Sequence, residues 1–112
     1  MLKITGTDIH LTRGDTAYLQ VPIETEVNGV TSDYEIREND TLRFTVKESA
    51  WDETFLIQKV LEGSNNFHIA PEDTKELKYG SYTYDVELTT GEGDVFTVIT
   101  PSVFKVTKEV TW

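Results

Sequence analysis

Apolar residues recur at alternate positions through most of the chain. Tyr82, Tyr84, Val86 and Leu88 alternate with Thr83, Asp85 and Glu87, the period of two that a half-buried strand requires. Leu42, Phe44 and Val46 alternate with Arg43, Thr45 and Lys47, which predicts a strand starting after Asn39-Asp40. Ala17, Leu19, Val21 and Ile23 also share a face, although Pro22 lacks a backbone donor and argues for an edge or a bulge. Leu2 and Ile4, then Ile9 and Leu11, read as a strand broken near Gly6 by a bulge or short turn. Residues 55–61 are apolar on both faces apart from Gln58 and Lys59, so that strand is either central or exposes one face to a partner.

Turn signals separate these runs. Asn28-Gly29 suits a type I′ hairpin, because both central residues need positive φ. Pro71 fits the first position of a helix of one or two turns. Glu72 and Asp73 fall in its first turn, Lys75 and Lys78 in its last, and Gly80 can supply the left-handed exit. Gly91-Glu92-Gly93-Asp94 reverses the chain into residues 95–100, Pro101 is expected to end that strand, and residues 103–107 form the last. Strands about ten residues apart, with turn residues between them, predict an all-β fold, a sandwich or barrel of about seven or eight strands with one short helical turn.

The 112 residues fit one such domain, 1–112. A net charge of −10, with ten basic residues scattered along the chain, argues against nucleic acid and against an anionic membrane surface as partners. Without cysteine, disulfides, thiolate zinc sites and cysteine nucleophiles are excluded. No apolar run approaches the ~20 residues of a membrane helix, and the start reads as a cytosolic one, with no signal peptide.

Candidate chemistry is sparse. His10 and His68 lie mid-strand, and no serine sits in a nucleophile elbow, so no enzyme is expected. Asp15, Asp40, Asp73 and Asp94 lie at strand ends or turns, where aspartate bonds its own backbone. Calcium at a loop end is the alternative, but no EF-hand pattern is present and no cofactor is expected. Arg13-Gly14-Asp15 and the sequon Asn39-Asp40-Thr41 are short motifs at positions where turns are needed anyway. Trp51 is expected to close one end of the core, and Trp112 to dock on the last strand or into a neighbouring subunit. The alternative is that loop aromatics such as Trp51, Trp112 and Tyr34 form platforms for a sugar.

Residues 71–88 resemble the part of immunoglobulin-like domains in which a helical turn precedes a tyrosine-bearing strand, which implies an immunoglobulin-like β-sandwich; Tyr82 or Tyr84 would then be the corner tyrosine, bonded back to the preceding loop. A second resemblance spans nearly the whole chain. Thr12-Arg13-Gly14-Asp15-Thr16, Asn39-Asp40-Thr41-Leu42-Arg43-Phe44-Thr45-Val46-Lys47 and Tyr79-Gly80-Ser81-Tyr82-Thr83-Tyr84-Asp85-Val86-Glu87-Leu88 occur in the order seen in small prophage proteins of Gram-positive bacteria. They are also similar to the N-terminal immunoglobulin-like module of phage baseplate upper proteins. This resemblance implies a structural or adaptor component of a phage or prophage tail or baseplate, made in the bacterial cytoplasm and associated with the virion. Its partners would be other phage structural proteins or itself, as a homo-oligomer. The motifs carry no catalytic residue to transfer. The interaction candidates are Trp51, Phe55 and Ile57 of the 55–61 strand region and Trp112 of the terminal segment 109–112. A carbohydrate- or cell-surface-binding module is the alternative.

Overall fold

The computed structural model describes residues 2–5 and 7–108. Ten strands and one helical turn follow in the order β1 (Leu2–Thr5), β2 (Asp8–Thr12), β3 (Ala17–Gln20), β4 (Glu24–Val27), β5 (Val30–Asp33), β6 (Thr41–Lys47), β7 (Ile57–Glu62), β8 (Asn66–Ile69), α1 (Pro71–Thr74), β9 (Gly80–Thr89) and β10 (Val95–Thr107). The fold is all-β. Six strands form one sheet in the order β1-β2-β10-β9-β6-β7, while β3 pairs with β8 and β4 with β5. All pairs are antiparallel except β2 with β10, where Phe104 lies beside Ile9 and Val106 beside Leu11.

Alternation fixes which face of each strand is buried. Leu42, Phe44 and Val46 of β6 and Tyr82, Tyr84, Val86 and Leu88 of β9 cover the inner face of the large sheet. Ala17, Leu19, Phe67 and Ile69 of the β3–β8 pair are buried with them in one core. The Phe44 ring is central, 5.3 Å from Tyr84, 5.5 Å from Phe67 and 6.2 Å from Phe104, with tilted and edge-on geometries favourable to aromatic rings. The molecule is therefore a sandwich with one wide layer and one narrow layer. Its immunoglobulin-like character extends to the corner tyrosine, Tyr82, whose hydroxyl donates to the Lys78 carbonyl at 2.6 Å.

Several boundaries depart from the expectation of seven or eight strands. β1 and β2 fold back on one another, Leu2 opposite Leu11, and so form a hairpin from what read as one broken strand. Asn28 (φ 53°) and Gly29 (φ 78°) make the predicted turn, joining β4 to β5 as a further hairpin. β3 stops at Gln20, before Pro22, but Val21 and Ile23 remain buried; Val21 N–H finds the Asn65 carbonyl at 2.9 Å instead of a ladder partner. Pro101 does not end a strand. β10 runs through it as one element, absorbing the missing donor in register shifts between Thr97 and Ser102.

The helix is a single turn with Pro71 in its first turn, and Lys75 caps it, so neither Lys75 nor Lys78 lies in a last helical turn. Gly80 opens β9 and does not cap α1. What holds α1 is a set of specific bonds. The Asp73 carboxylate accepts the Ala70 N–H at 2.7 Å. The fully buried Thr74 offers its hydroxyl oxygen to the Gly14 N–H at 2.9 Å.

Candidate interaction surface

Among the described residues the strand β7 has only β6 beside it and so forms one edge of the large sheet. Its register places Ile57 against Val46, Lys59 against Phe44 and Leu61 against Leu42, all on the inner face. Ile57 is accordingly buried in the core, so its side chain is not available as an interaction residue. Gln58, Val60 and Glu62 point outward instead, and Val60 is exposed. The strand expected over residues 55–61 runs instead over Ile57–Glu62, with Phe55 and Leu56 in the loop before it and Val60 as the apolar residue of its outer face. Period-two parity alone separates Val60 from Ile57 and was the signal available for choosing between them.

The loop from β6 to β7 carries the other apolar groups. Ser49 N–H donates to Asp52 Oδ2 at 3.2 Å, and Asp52 N–H returns to the Ser49 carbonyl at 3.2 Å. This tight turn meets its polar needs internally and leaves Trp51 at its tip, 93% exposed. Trp51 therefore does not close the core, which corrects that expectation. Phe55 and Leu56 are also exposed. Trp51, Phe55 and Leu56 thus stand exposed on the loop that leads into β7, and Val60 on the outer face of β7 itself. Trp112 and the segment 109–112 lie outside the described residues.

Beside this edge the outer face of β6 and β9 forms an open concavity of about 320 Å³, reached by Phe55 and lined by Arg43, Lys47, Gln58, Asp85 and Glu87 among others. Arg43 stands opposite Glu87, and Thr45 opposite Asp85, in the ladder. Partial burial, reinforced by the Glu87 charge and opposed by Lys47, raises the Asp85 carboxyl above its ordinary range. The charges are mixed, so the surface offers both donors and acceptors. A second, more apolar cleft of about 210 Å³ opens between the layers beside Leu19, Val21 and Ile99, where β3 stops short.

The remaining sequence candidates are dispersed. His10 lies on the outer face of β2, while His68 stacks on Tyr18 with ring centroids 4.8 Å apart on the other sheet. The Arg13 guanidinium covers the Tyr79 ring at 4.3 Å and donates to the Leu77 carbonyl at 3.3 Å, so the Arg-Gly-Asp turn is built into the packing of the α1 region. Asp40 is buried and accepts the Tyr34 hydroxyl at 2.5 Å and the Arg37 N–H at 2.9 Å. Burial opposes its ionisation, but these bonds outweigh it and hold the carboxyl below its usual range. Tyr34 is thereby committed to a structural bond rather than to a free aromatic platform. Among the described residues no group of three or more His, Asp or Glu is arranged to hold a metal ion, and no helix is long and apolar enough to cross a membrane.

Fold and surface together define an all-β sandwich module with one large-sheet edge at β7 and exposed aromatic groups on the loop before it. The chain matches no protein-family model, no curated protein and no solved structure.

Proposed function

We propose that this protein is a non-enzymatic structural or adaptor component of a phage or prophage tail or baseplate, acting through protein–protein interfaces. The observation that carries the interface is the exposure of Trp51, Phe55 and Leu56 on the loop before β7 and of Val60 on β7, an edge strand among the described residues. Large apolar side chains left exposed, with a tryptophan among them, are what buried interface centres are made of. A free strand edge also supplies backbone donors and acceptors for an added strand. The tail or baseplate setting rests on the three motif segments in their order, and it implies synthesis in the bacterial cytoplasm followed by association with the virion. Mass spectrometry of phage-like particles from an induced culture of the source organism is the test. Peptides of this chain are expected at a stoichiometry close to that of the tail proteins, and particles that assemble without it would remove a permanent structural role.

The concavity beside Phe55 favours a second reading, a carbohydrate- or cell-surface-binding module. Its mixed Arg, Gln, Asp and Glu lining next to exposed aromatics suits the hydroxyls and apolar face of a sugar. That reading requires saturable binding to cell-wall polysaccharide, lost in Trp51→Ala and Phe55→Ala. Tryptophan fluorescence unchanged by saturating polysaccharide argues against it.

A further inference from the structure

The outer face of the large sheet sorts its charges by strand. Arg43 and Lys47 stand on either side of Thr45 on β6, and Asp85 and Glu87 follow Thr83 on β9, all opposite to the buried parity. The register sets Arg43 against Glu87 and Thr45 against Asp85. A positive row therefore lies beside a negative one at the spacing of neighbouring strands, about 4.8 Å. Opposite charges so placed ordinarily pair across the ladder. Among the described residues, however, no ion pair or hydrogen bond joins any two of these four side chains, whereas Lys59 on the inner face is held by Asp73 at 2.8 Å. The two rows line the open concavity of about 320 Å³, to which the loop before β7 adds Phe55 and β10 adds Pro101. That volume lies near the lower end of ligand pockets, ~300–1,000 Å³. Between the rows and β7, the Gln58 amide donates to the Thr45 hydroxyl at 3.3 Å.

Resting on the reading of this concavity as a carbohydrate site, we propose that its ligand is a zwitterionic sugar unit, with a free primary amine and a carboxylate on neighbouring ring positions. The carboxylate turns to β6, where Arg43 and Lys47 donate to it, and the ammonium turns to β9, where Asp85 and Glu87 accept from it. The apolar face of the ring lies against Phe55. Strand spacing carries the choice of adjacent positions. Charges at the far ends of a long ligand overrun two rows about 4.8 Å apart, whereas an amine and an acid on neighbouring substituents match them. Sign carries the choice of a zwitterion. A neutral sugar would desolvate four charges without giving any of them an ionic partner, which costs binding. A purely anionic sugar is repelled by the overall charge of −10, and a purely cationic one leaves Arg43 and Lys47 unmet. The zwitterion has no net charge and meets both rows. Partial burial and the Glu87 charge already disfavour the Asp85 carboxylate, with Lys47 opposing them. An ammonium seated beside the two acids relieves that repulsion.

Four monosaccharides separate the two charges. Muramic acid carries both, N-acetylmuramic acid the carboxylate alone, glucosamine the ammonium alone, and N-acetylglucosamine neither. Each is titrated into the full chain at about pH 6.5, where the amine is protonated and sugar carboxylates are ionised, and binding is followed by amide NMR shifts. Muramic acid is expected to bind saturably and at least about tenfold tighter than the other three, with its shifts centred on β6 and β9. Arg43→Gln combined with Lys47→Gln should bind muramic acid no better than glucosamine. Asp85→Asn combined with Glu87→Gln should bind it no better than N-acetylmuramic acid. Both pairs are outer-face changes and should keep the wild-type circular dichroism and melting temperature. Equal binding of all four sugars, or a preference for muramic acid that survives both pairs of substitutions, overturns the proposal and leaves the carbohydrate reading standing. If none of the four binds while cell-wall polysaccharide does, the zwitterion falls alone; if the polysaccharide also fails to bind, both fall.

Discussion

The Tyr84 hydroxyl donates to the Thr7 carbonyl, linking β9 to the turn between β1 and β2 across most of the sequence. Burial, with a smaller push from the Asp8 carboxylate, raises this phenol to about 12. An unfolded phenol titrates near 10. A group whose folded pKa is raised favours folding while protonated, so this contribution is complete below about pH 10 and is lost as pH climbs through about 12. Tyr84→Phe is expected to flatten the alkaline fall in stability across that window and to remove the latest-titrating tyrosinate absorbance. A variant whose alkaline unfolding curve falls as steeply as the wild type's would contradict the assignment. Tyr82, two residues away on the same face, serves a different end of the molecule through its bond to Lys78.

At the scale of elements, α1 is too short to be stable by helix formation alone. It persists because other segments use it. Thr74 receives the Gly14 N–H, Lys75 N–H closes the turn on the Pro71 carbonyl at 3.1 Å, and Asp73 holds Lys59 of β7. The turn after β2, the β7 edge and the entry to β9 therefore meet at one helical turn. Thr74→Val keeps the shape but leaves the Gly14 N–H without its acceptor, at an expected cost of about 1–3 kcal/mol. Thr74→Ser should restore most of it. Urea midpoints at constant m-value measure both, and a valine variant as stable as the wild type would show that this bond contributes nothing.

Across the whole molecule, the narrow β3–β8 layer covers only part of the wide sheet, and exposed large apolar side chains are spread over several elements, with Trp51, Phe55, Leu56 and Val60 on β7 and the loop before it. Trp51→Ala combined with Phe55→Ala removes side chains with little role in the core. Stability should stay within ~0.5 kcal/mol of wild type, while retention of the chain in phage-like particles, read by quantitative mass spectrometry, falls about tenfold or more. A matching loss of melting temperature would instead mean that these rings support the fold.

Much of this architecture was legible along the chain because a strand's alternation is a local property, recorded by each residue and its neighbours two positions away. The buried faces of β6 and β9, the Asn28-Gly29 hairpin, the proline-led helical turn and the corner tyrosine all depend on contacts close in sequence. Strand order does not. The parallel pairing of β2 with β10, the continuity of β10 past Pro101 and the edge position of β7 arise between segments far apart in sequence, and local pattern carries no record of them. The candidate surface divides along the same line. Phe55 and Trp51 could be named as apolar groups outside the regular pattern. Their exposure, the burial of Ile57 and the tethering of Lys59 by Asp73 follow from which strand became an edge, because solvent access belongs to the assembled sheets and not to any one of them.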